Sequence, residues 1–279
     1  MLAFSEAPIK MLWGGLSLVG MRRVSKLLPS QYNDTSFYFP HIKGHVVLTI
    51  DDGLSRGGDE TSMVEDVRQL LAEYEAKATF FVCSKYLDGV QDGAAALVSD
   101  GHEFGNHLRE DLQFVYPKME KDEFAAELAS CSAAIEALPG HPSVRWFRAP
   151  QGFLSVAMAD AVSEQGLRHA LGDTYCDDWA LEQNVPYAVR MLLEQVADGS
   201  IIIVHMPEKG FRQHTFAILK GLLEGLKQKQ LRCLTLSEAA ERELAVDTMG
   251  DSSVPVDFGG TAKGMPGTPT AHRDSEPLW

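Results

Sequence analysis

The chain has 279 residues, of which 45% are hydrophobic and 23% are charged, a composition typical of a globular protein with a sizeable core. The net charge of −14 and the lack of a basic cluster beyond Arg22-Arg23 argue against nucleic acid as a partner. The four cysteines are far apart and form no CxxC pair, which argues against a cysteine zinc site and leaves the disulfide status open.

The N-terminal region contains one apolar segment whose role has several interpretations. Residues 11–21 read MLWGGLSLVGM and lie between Lys10 and the basic run 22–26. The segment is shorter than the roughly 20 apolar residues of a membrane span, and no clear small-residue cleavage site follows it. An interfacial or signal-anchor segment touching a membrane through residues 11–23, an atypical leader, and packing onto the domain all stay open. The localisation, secretory or membrane-associated as against cytoplasmic, stays open with them.

From residue 45 onward, short apolar runs alternate with helical patterns. Seven runs predict strands, at residues 46–50, 79–83, 103–106, 145–148, 169–172, 201–205 and 232–235. Strand–helix alternation implies parallel strands with covering helices, and seven repeats of this kind favour one barrel-like α/β domain. We therefore predict a lead-in over residues 1–44, a single (β/α)7-type barrel domain over 45–246, and a disordered tail rich in Gly, Pro and Ser over 247–279.

Residues that can carry chemistry follow the predicted strands. The first strand reads VVLTIDDG and ends in Asp51 and Asp52, two carboxylates that are costly to bury without partners. The other strand ends carry HEFGNH at 102–107, RAPQG at 148–152, DDW at 177–179, and His205. Active sites of parallel α/β barrels collect at the carboxyl ends of the strands, so this concentration predicts a site.

A metal site is one reading of the acids and imidazoles. His107 and Asp111 are four residues apart, which places both on one side of a helical turn, and Asp52 would complete an Asp–His–Asp set. Two carboxylates and an imidazole suit a borderline divalent ion such as zinc and leave room for a water. A His and an Asp at this spacing are also typical of a surface or capping pair.

The order TIDDG, HEFGNHxxxD, RAPQG, DDW, IIIVH resembles the NodB-homology polysaccharide deacetylases, carbohydrate esterase family four, across about residues 45–240. The resemblance implies a distorted (β/α) barrel. It also implies Asp51 as the general base, with the metal ligands listed here: Asp52, His107 and Asp111. The third ligand is usually His, so Asp111 makes the metal less certain: zinc is expected, with cobalt, nickel and manganese as alternatives.

The same resemblance implies the remaining roles. Arg148 would pair with Asp51 and keep it ionised, while Asp178 would orient His205, the general acid. The residues implied in substrate binding are Pro150, Gln151, Gly152, Phe153 and Trp179. The chain departs from the family pattern at three positions: Leu108 replaces Ser or Thr, Gln151 an aromatic residue, and Tyr175 an acid.

The predicted function is metal-dependent removal of acetyl groups from an N-acetylglucosamine polymer, chitin-like or peptidoglycan-like, with release of acetate. Two alternatives stay open: a hydrolase of another C–N bond in a small amide or ureide, and a catalytically silent carbohydrate-binding relative. An N-acetylated glycan is the implied partner, and no protein partner is implied. Substrate recognition is expected from the barrel's own loops, among which residues 206–211 either line the groove or lead into a helix.

Overall fold

Eight parallel strands form one curved sheet in residues 20–250, the part of the chain that the computed structural model describes, with side chains described through residue 246. The strands are β1 His45–Gly53, β2 Thr79–Val82, β3 Glu103–Asn106, β4 Trp146–Phe147, β5 Arg168–His169, β6 Thr174–Tyr175, β7 Ile201–His205 and β8 Arg232–Leu234. Most of the apolar segment 11–21 and nearly all of the predicted tail lie outside the described residues.

The sheet order is β5-β4-β3-β2-β1-β7-β6, and β8 pairs with the first three residues of β1. The prediction of a barrel-like parallel α/β fold is confirmed, and each of the seven predicted strands has a counterpart. The eighth strand, β6, was not predicted, because its two residues lie outside the apolar runs of the sequence.

Strand β1 is the centre of the sheet and is buried from Val46 to its end. Val46, Leu48 and Ile50 pack into the main core on one face, while Val47 packs into a second cluster on the other. Burial on both faces explains why the strand is an uninterrupted apolar run rather than an alternating one. Its carboxyl end therefore places the carboxylates of Asp51 and Asp52 in the middle of the fold.

Helices cover the sheet between the strands. The α-helices are α1 Met21–Val24, α2 Val64–Glu73, α3 Gln91–Ser99, α4 Lys121–Glu136, α5 Val156–Glu164, α6 Val185–Gln195, α7 Thr215–Gln228 and α8 Leu236–Gly250. The predicted apolar faces are buried, as with Phe124, Leu128 and Ile135 on α4. All four cysteines are free and buried. Among the described helices, none has the length and apolar character needed to cross a bilayer.

The lead-in segment, residues 20–44, packs into the gap between the two ends of the sheet. Ser36 forms a parallel bridge with Ala170 just after β5, and Tyr38 forms an antiparallel bridge with Ser200 just before β7. The backbone of Phe39 lies so close that a Cβ at Gly199, whose φ is +71°, would meet its carbonyl oxygen at 1.8 Å. Glycine is required there for both reasons. The lead-in segment therefore completes the barrel wall.

Candidate active site

The carboxyl ends of β1 and β7 bring Asp51 and His205 side by side. The two residues are direct partners in the parallel register of these strands, and the Met206 N–H donates to the Asp51 carbonyl at 2.9 Å. Two residues 154 positions apart in sequence therefore face the same cleft because the sheet pairs their strands.

Asp51 forms a buried ion pair with Arg148, which follows β4. The Arg148 Nη1 lies 2.6 Å from Asp51 Oδ1 and also donates to Thr49 Oγ1 at 2.7 Å. The carbonyls of Ala170 and Leu171 accept from the Nε and Nη2 of Arg148 at 3.0 and 3.2 Å. The guanidinium is thus held on three sides, and its position fixes that of the carboxylate.

An aromatic ring supports Arg148 from below. The guanidinium carbon lies 4.1 Å from the centre of the Phe81 ring, a cation–π contact inside the protein. Gly105 makes room for that ring, because a Cβ at residue 105 would lie 2.6 Å from it. The glycine of the HEFGNH motif therefore leaves the space for the ring that packs against the arginine of the RAPQG motif.

Asp52 and His107 form a second buried pair. The distance from His107 Nε2 to Asp52 Oδ1 is 3.3 Å, and the Nδ1 of His107 donates to the Arg148 carbonyl at 2.8 Å. That second bond fixes the ring and turns Nε2 toward the carboxylate, as in a metal-binding histidine. Burial opposes the ionisation of Asp52, but His107, His205 and Arg212 hold its pKa well below the usual range.

Arg212 also contacts Asp52, and the sequence reasoning missed it. Its Nη1 lies 2.5 Å from Asp52 Oδ2, while Arg56 Nη2 lies 3.5 Å from the same oxygen. Phe211, half exposed, has the Arg56 and Arg212 guanidinium carbons 4.5 and 4.9 Å from its ring centre. Arg212 directly follows residues 206–211, for which the sequence predicted only groove lining or a lead-in to a helix.

That segment is a loop, and a buried carboxylate holds it in place. Glu208 accepts from Ser55 Oγ at 3.0 Å, from the Gly57 N–H at 2.9 Å and from Thr61 Oγ1 at 2.5 Å. The loop after β7 is therefore tied to the loop after β1, which explains how Arg212 reaches Asp52. Helix α7 begins only at Thr215, beyond the loop.

Asp111 lines the same cleft but does not join Asp52 and His107. Its Oδ1 accepts from Gln151 Nε2 at 3.1 Å, and burial together with the Asp52 charge raises its pKa. In the described part of the chain, no three His, Cys, Asp or Glu side chains are grouped closely enough to hold a metal ion. Asp52 and the oriented imidazole of His107 fit a divalent cation. Two contacts do not fit one: Arg212 pairs with Asp52, and Asp111 is bonded to Gln151.

His205 is oriented by Asp178. Its Nδ1 lies 2.6 Å from Asp178 Oδ1, and its backbone N–H donates to Oδ2 at 2.7 Å. Burial alone would lower the pKa of His205, but the charge and hydrogen bond of Asp178 raise it to about 9. A protonated imidazole therefore faces the cleft at neutral pH.

The cleft has a volume of about 300 Å³ and aromatic side chains along its wall. Trp179 lines it with 39% of its surface exposed, and Phe153 lies 5.6 Å from Phe114, measured between ring centres. Gln151 and Gly152 also line it. Pro150, in the same turn, is buried and is not among the residues that line the cleft, and its role in substrate binding stays a prediction.

Four residues other than glycine adopt left-handed backbone conformations in and beside the cleft. They are Asp52, Leu108, Phe114 and Gln151, with φ values of 58°, 63°, 55° and 56°. Asn106 Oδ1 accepts from the Leu108 N–H at 2.8 Å, so this loop is held by hydrogen bonding. Such conformations cost of order 1–3 kcal/mol each and concentrate at functional sites.

The fold and cleft define a hydrolase-like (β/α) barrel, and the comparisons identify its family. The model of the family "Polysaccharide deacetylase" matches residues 40–170. The chain is 30% identical over 163 residues to a chitooligosaccharide deacetylase of Bradyrhizobium sp. strain ANU 289, covering 57% of this chain and 69% of that one. A peptidoglycan-N-acetylglucosamine deacetylase of Bacillus cereus is 26% identical, with 76% and 95% covered.

Among solved structures, a family 4 acetyl xylan esterase from Clostridium thermocellum in complex with a cobalt ion is similar, with a TM-score of 0.60 and 25% identity. The similarity covers 71% of this chain and 90% of that one. The chain belongs to the polysaccharide deacetylase family, and the predicted class of enzyme is confirmed.

Proposed function

We propose that the protein removes acetyl groups from N-acetylglucosamine residues of a glycan, with Asp51 as general base and His205 as general acid. One observation carries the proposal: two oppositely arranged charge pairs, Asp51–Arg148 and His205–Asp178, face one cleft on adjacent strands. Amide hydrolysis needs one group that accepts a proton and another that donates one.

Asp52 and His107 are the residues that would hold a divalent cation, with Asp111 as the third donor once its bond to Gln151 opens. Such a cation, when bound, supplies Lewis-acid polarisation of the acetamide carbonyl and of the attacking water. The cobalt ion in the acetyl xylan esterase supports a divalent metal in general, and zinc is the ion that we propose for this chain.

The protein's own groups then move two protons. Asp51 Oδ2, the oxygen left free by Arg148, accepts the proton of a water that attacks the acetamide carbon. The backbone of the turn at Gln151 stabilises the charge that develops on the carbonyl oxygen. His205 donates the proton on Nε2 to the departing amine nitrogen, and acetate and a free amino sugar remain.

The aromatic wall supports a sugar polymer as the substrate. Trp179 and the Phe114–Phe153 pair offer flat apolar faces along the cleft, which suit pyranose rings. The relatives named for chitooligosaccharides and for peptidoglycan N-acetylglucosamine support the same class of substrate.

Acetate release tests the proposal directly. The full chain, supplied with zinc or cobalt, would be incubated with chitooligosaccharides and with peptidoglycan fragments. We expect acetate from at least one of them, and a loss of about 10²- to 10⁴-fold in kcat for Asp51→Asn. Asp160→Asn, which neutralises an exposed carboxylate on α5, is the matched control and should keep full activity.

Two outcomes would contradict the proposal. Full activity of Asp51→Asn would remove this residue as the base. Release of ammonia from small amides or ureides without acetate release from glycans would favour the alternative C–N hydrolase, and tight glycan binding without turnover would favour the silent carbohydrate-binding relative.

A further inference from the structure

The turn from Ala149 to Leu154 is held at both ends by the lead-in segment. This turn carries Gln151, whose side chain contacts Asp111 at 3.1 Å, and it forms one edge of the cleft. The residues that hold it, Tyr32 and Thr35, precede the stretch 40–170 that matches the family model.

Tyr32 holds the far end of the turn with one hydroxyl group. Its O–H donates to the Gly152 carbonyl at 3.0 Å, and the same oxygen accepts from the Leu154 N–H at 2.9 Å. Burial raises the pKa of Tyr32, so the hydroxyl keeps its proton and can make both bonds. Residues 152–154 lie outside the sheet, so the Tyr32 hydroxyl supplies the hydrogen-bond partners that a neighbouring strand would otherwise supply.

Thr35 holds the near end of the turn through a histidine. The Ala149 N–H donates to His169 Nε2 at 3.3 Å, which places the ring proton on Nδ1, 2.8 Å from Thr35 Oγ1. Burial and the nearby Arg148 lower the pKa of His169 to about 3, so the ring stays neutral and can serve as donor and acceptor at once. Thr35, His169 and Ala149 form one continuous chain of hydrogen bonds.

The backbone between these two attachments is in an unfavourable conformation. Gln151 has a φ of 56°, a region that residues with a Cβ adopt only when their surroundings enforce it. Tyr32 and Thr35 supply that enforcement from the lead-in segment: Tyr32 bonds the turn after Gln151 directly, and Thr35 is linked through His169 to Ala149 before it. Neither residue lines the cleft.

We propose that Tyr32 and Thr35 are positioning residues for the deacetylase site, acting through the turn at Gln151. The inference rests on the proposed function for its kinetic consequences, but not for its structural ones. Fixing the turn sets the position of the Gln151 backbone, which faces the substrate carbonyl in the proposed mechanism, and small displacements of such groups reduce kcat strongly.

Tyr32→Phe removes only the hydroxyl and is the test variant. Tyr38→Phe is the matched control, because Tyr38 belongs to the same segment and its ring covers Arg22 without touching the turn. For Tyr32→Phe we expect a fall of roughly 5- to 30-fold in kcat with KM changed much less. Tyr38→Phe should stay within about twofold of the wild type in both parameters.

A double-mutant cycle separates positioning from general weakening. If Tyr32 acts by enforcing the left-handed conformation of the turn, Tyr32→Phe should change kcat by less than about threefold in a Gln151→Gly background, because glycine adopts that conformation without enforcement. An equal loss in both backgrounds, or a Tyr32→Phe kcat within about twofold of the wild type, would overturn the proposal.

Hydrogen exchange gives a readout that does not depend on activity. Amides of residues 149–154 should exchange faster in Tyr32→Phe and in Thr35→Val than in the wild type or in Tyr38→Phe, while β1 stays protected. Unchanged exchange in this turn would contradict the positioning role. Absence of acetate release by the wild type together with faster exchange in the variants would contradict the proposed function alone.

Discussion

The two charge pairs at the centre of the cleft are built in opposite ways. In the first, Asp51 faces the cleft and the orienting group is a cation, Arg148, which is 1% exposed. In the second, His205 faces the cleft with 22% of its side chain exposed, and the orienting group is a carboxylate, Asp178, with none. Each orienting group is buried and opposite in charge to the group that it serves.

This difference shows how one end of the barrel can hold a carboxylate and a protonated imidazole side by side. The orienting groups hold their positions through backbone contacts: Arg148 binds two carbonyls, and Asp178 accepts a backbone N–H. The acting groups, Asp51 and His205, both line the cleft, and Arg148 reaches it beside Asp51. The two pairs also differ in their effect on stability. Removing Arg148 would leave the carboxylate of Asp51 buried without a partner.

The largest expected effect is that of removing Arg148. Arg148→Met leaves Asp51 buried without its cation, and we expect the free energy of unfolding to fall by about 3–5 kcal/mol. Urea denaturation measures this loss. The double variant Asp51→Asn with Arg148→Met should recover part of it, and an Arg148→Met protein as stable as the wild type would show that the pair is not structural.

Removing the charge of Asp178 should act on chemistry and on its pH dependence. The acid form of His205 is lost as pH rises through a pKa of about 9, so kcat/KM of the wild type should hold to that region and fall above it. In Asp178→Asn we expect the fall to move toward pH 6.5 and kcat to drop by about 10²- to 10⁴-fold.

A pH–rate profile of both proteins checks this expectation. Asp177→Asn is the control for the pH effect, since in the described part of the chain the carboxylate bonded to His205 is that of Asp178 and not that of its neighbour Asp177. A falling limb at the same pH in wild type and Asp178→Asn would show that Asp178 does not set the acid.

Arg212 offers a smaller test, on the carboxylate between the two pairs. Its guanidinium occupies Asp52 Oδ2, so it competes with any divalent cation for that oxygen. For Arg212→Gln we expect zinc to bind about tenfold more tightly, a gain of about 1.4 kcal/mol. Titration calorimetry measures the affinity directly, and Arg109→Gln, an exposed arginine near the cleft loops, is the control. Weaker zinc binding in Arg212→Gln would mean that the arginine assists the cation instead.

The smallest expected effect concerns Thr49, which lies under Arg148. Its hydroxyl accepts from Arg148 Nη1 and donates to the Ile202 carbonyl at 2.6 Å. Thr49→Val keeps the shape and should lower the free energy of unfolding by about 1 kcal/mol, the usual value of a buried hydrogen bond. A loss as large as that of Arg148→Met would show that Thr49 and not Asp51 is the main partner of the arginine.

Much of the fold could be predicted from the sequence, because periodicity and strand-end chemistry are local signals. The apolar run of β1 and the face of α4 are examples, and the order of the motifs then identified the family. Strand β6 lies outside the apolar runs, and the bridges of Ser36 and Tyr38 are pairings of single residues. Neither feature leaves a periodic pattern in the chain, so neither could be predicted.

The site could be predicted where a residue's type and its position at a strand end together indicate a chemical role. Asp51, His107 and His205 stand at strand ends, where a parallel sheet collects them. Arg212 lies on a loop whose position depends on Glu208, and Tyr32 depends on a contact 120 residues away. Contacts of this kind follow from three-dimensional packing, so a single sequence does not reveal them.

The place of the lead-in segment also sets an order of events during synthesis. Ser36 and Tyr38 leave the ribosome early, but their partners, Ala170 and Ser200, are made more than 100 residues later. At about 5–20 residues per second, these pairings must wait roughly 7–30 s for the chain that completes them. Until then the gap beside β5 stays open, and the lead-in segment, although made before the sheet, is among the last to find its place.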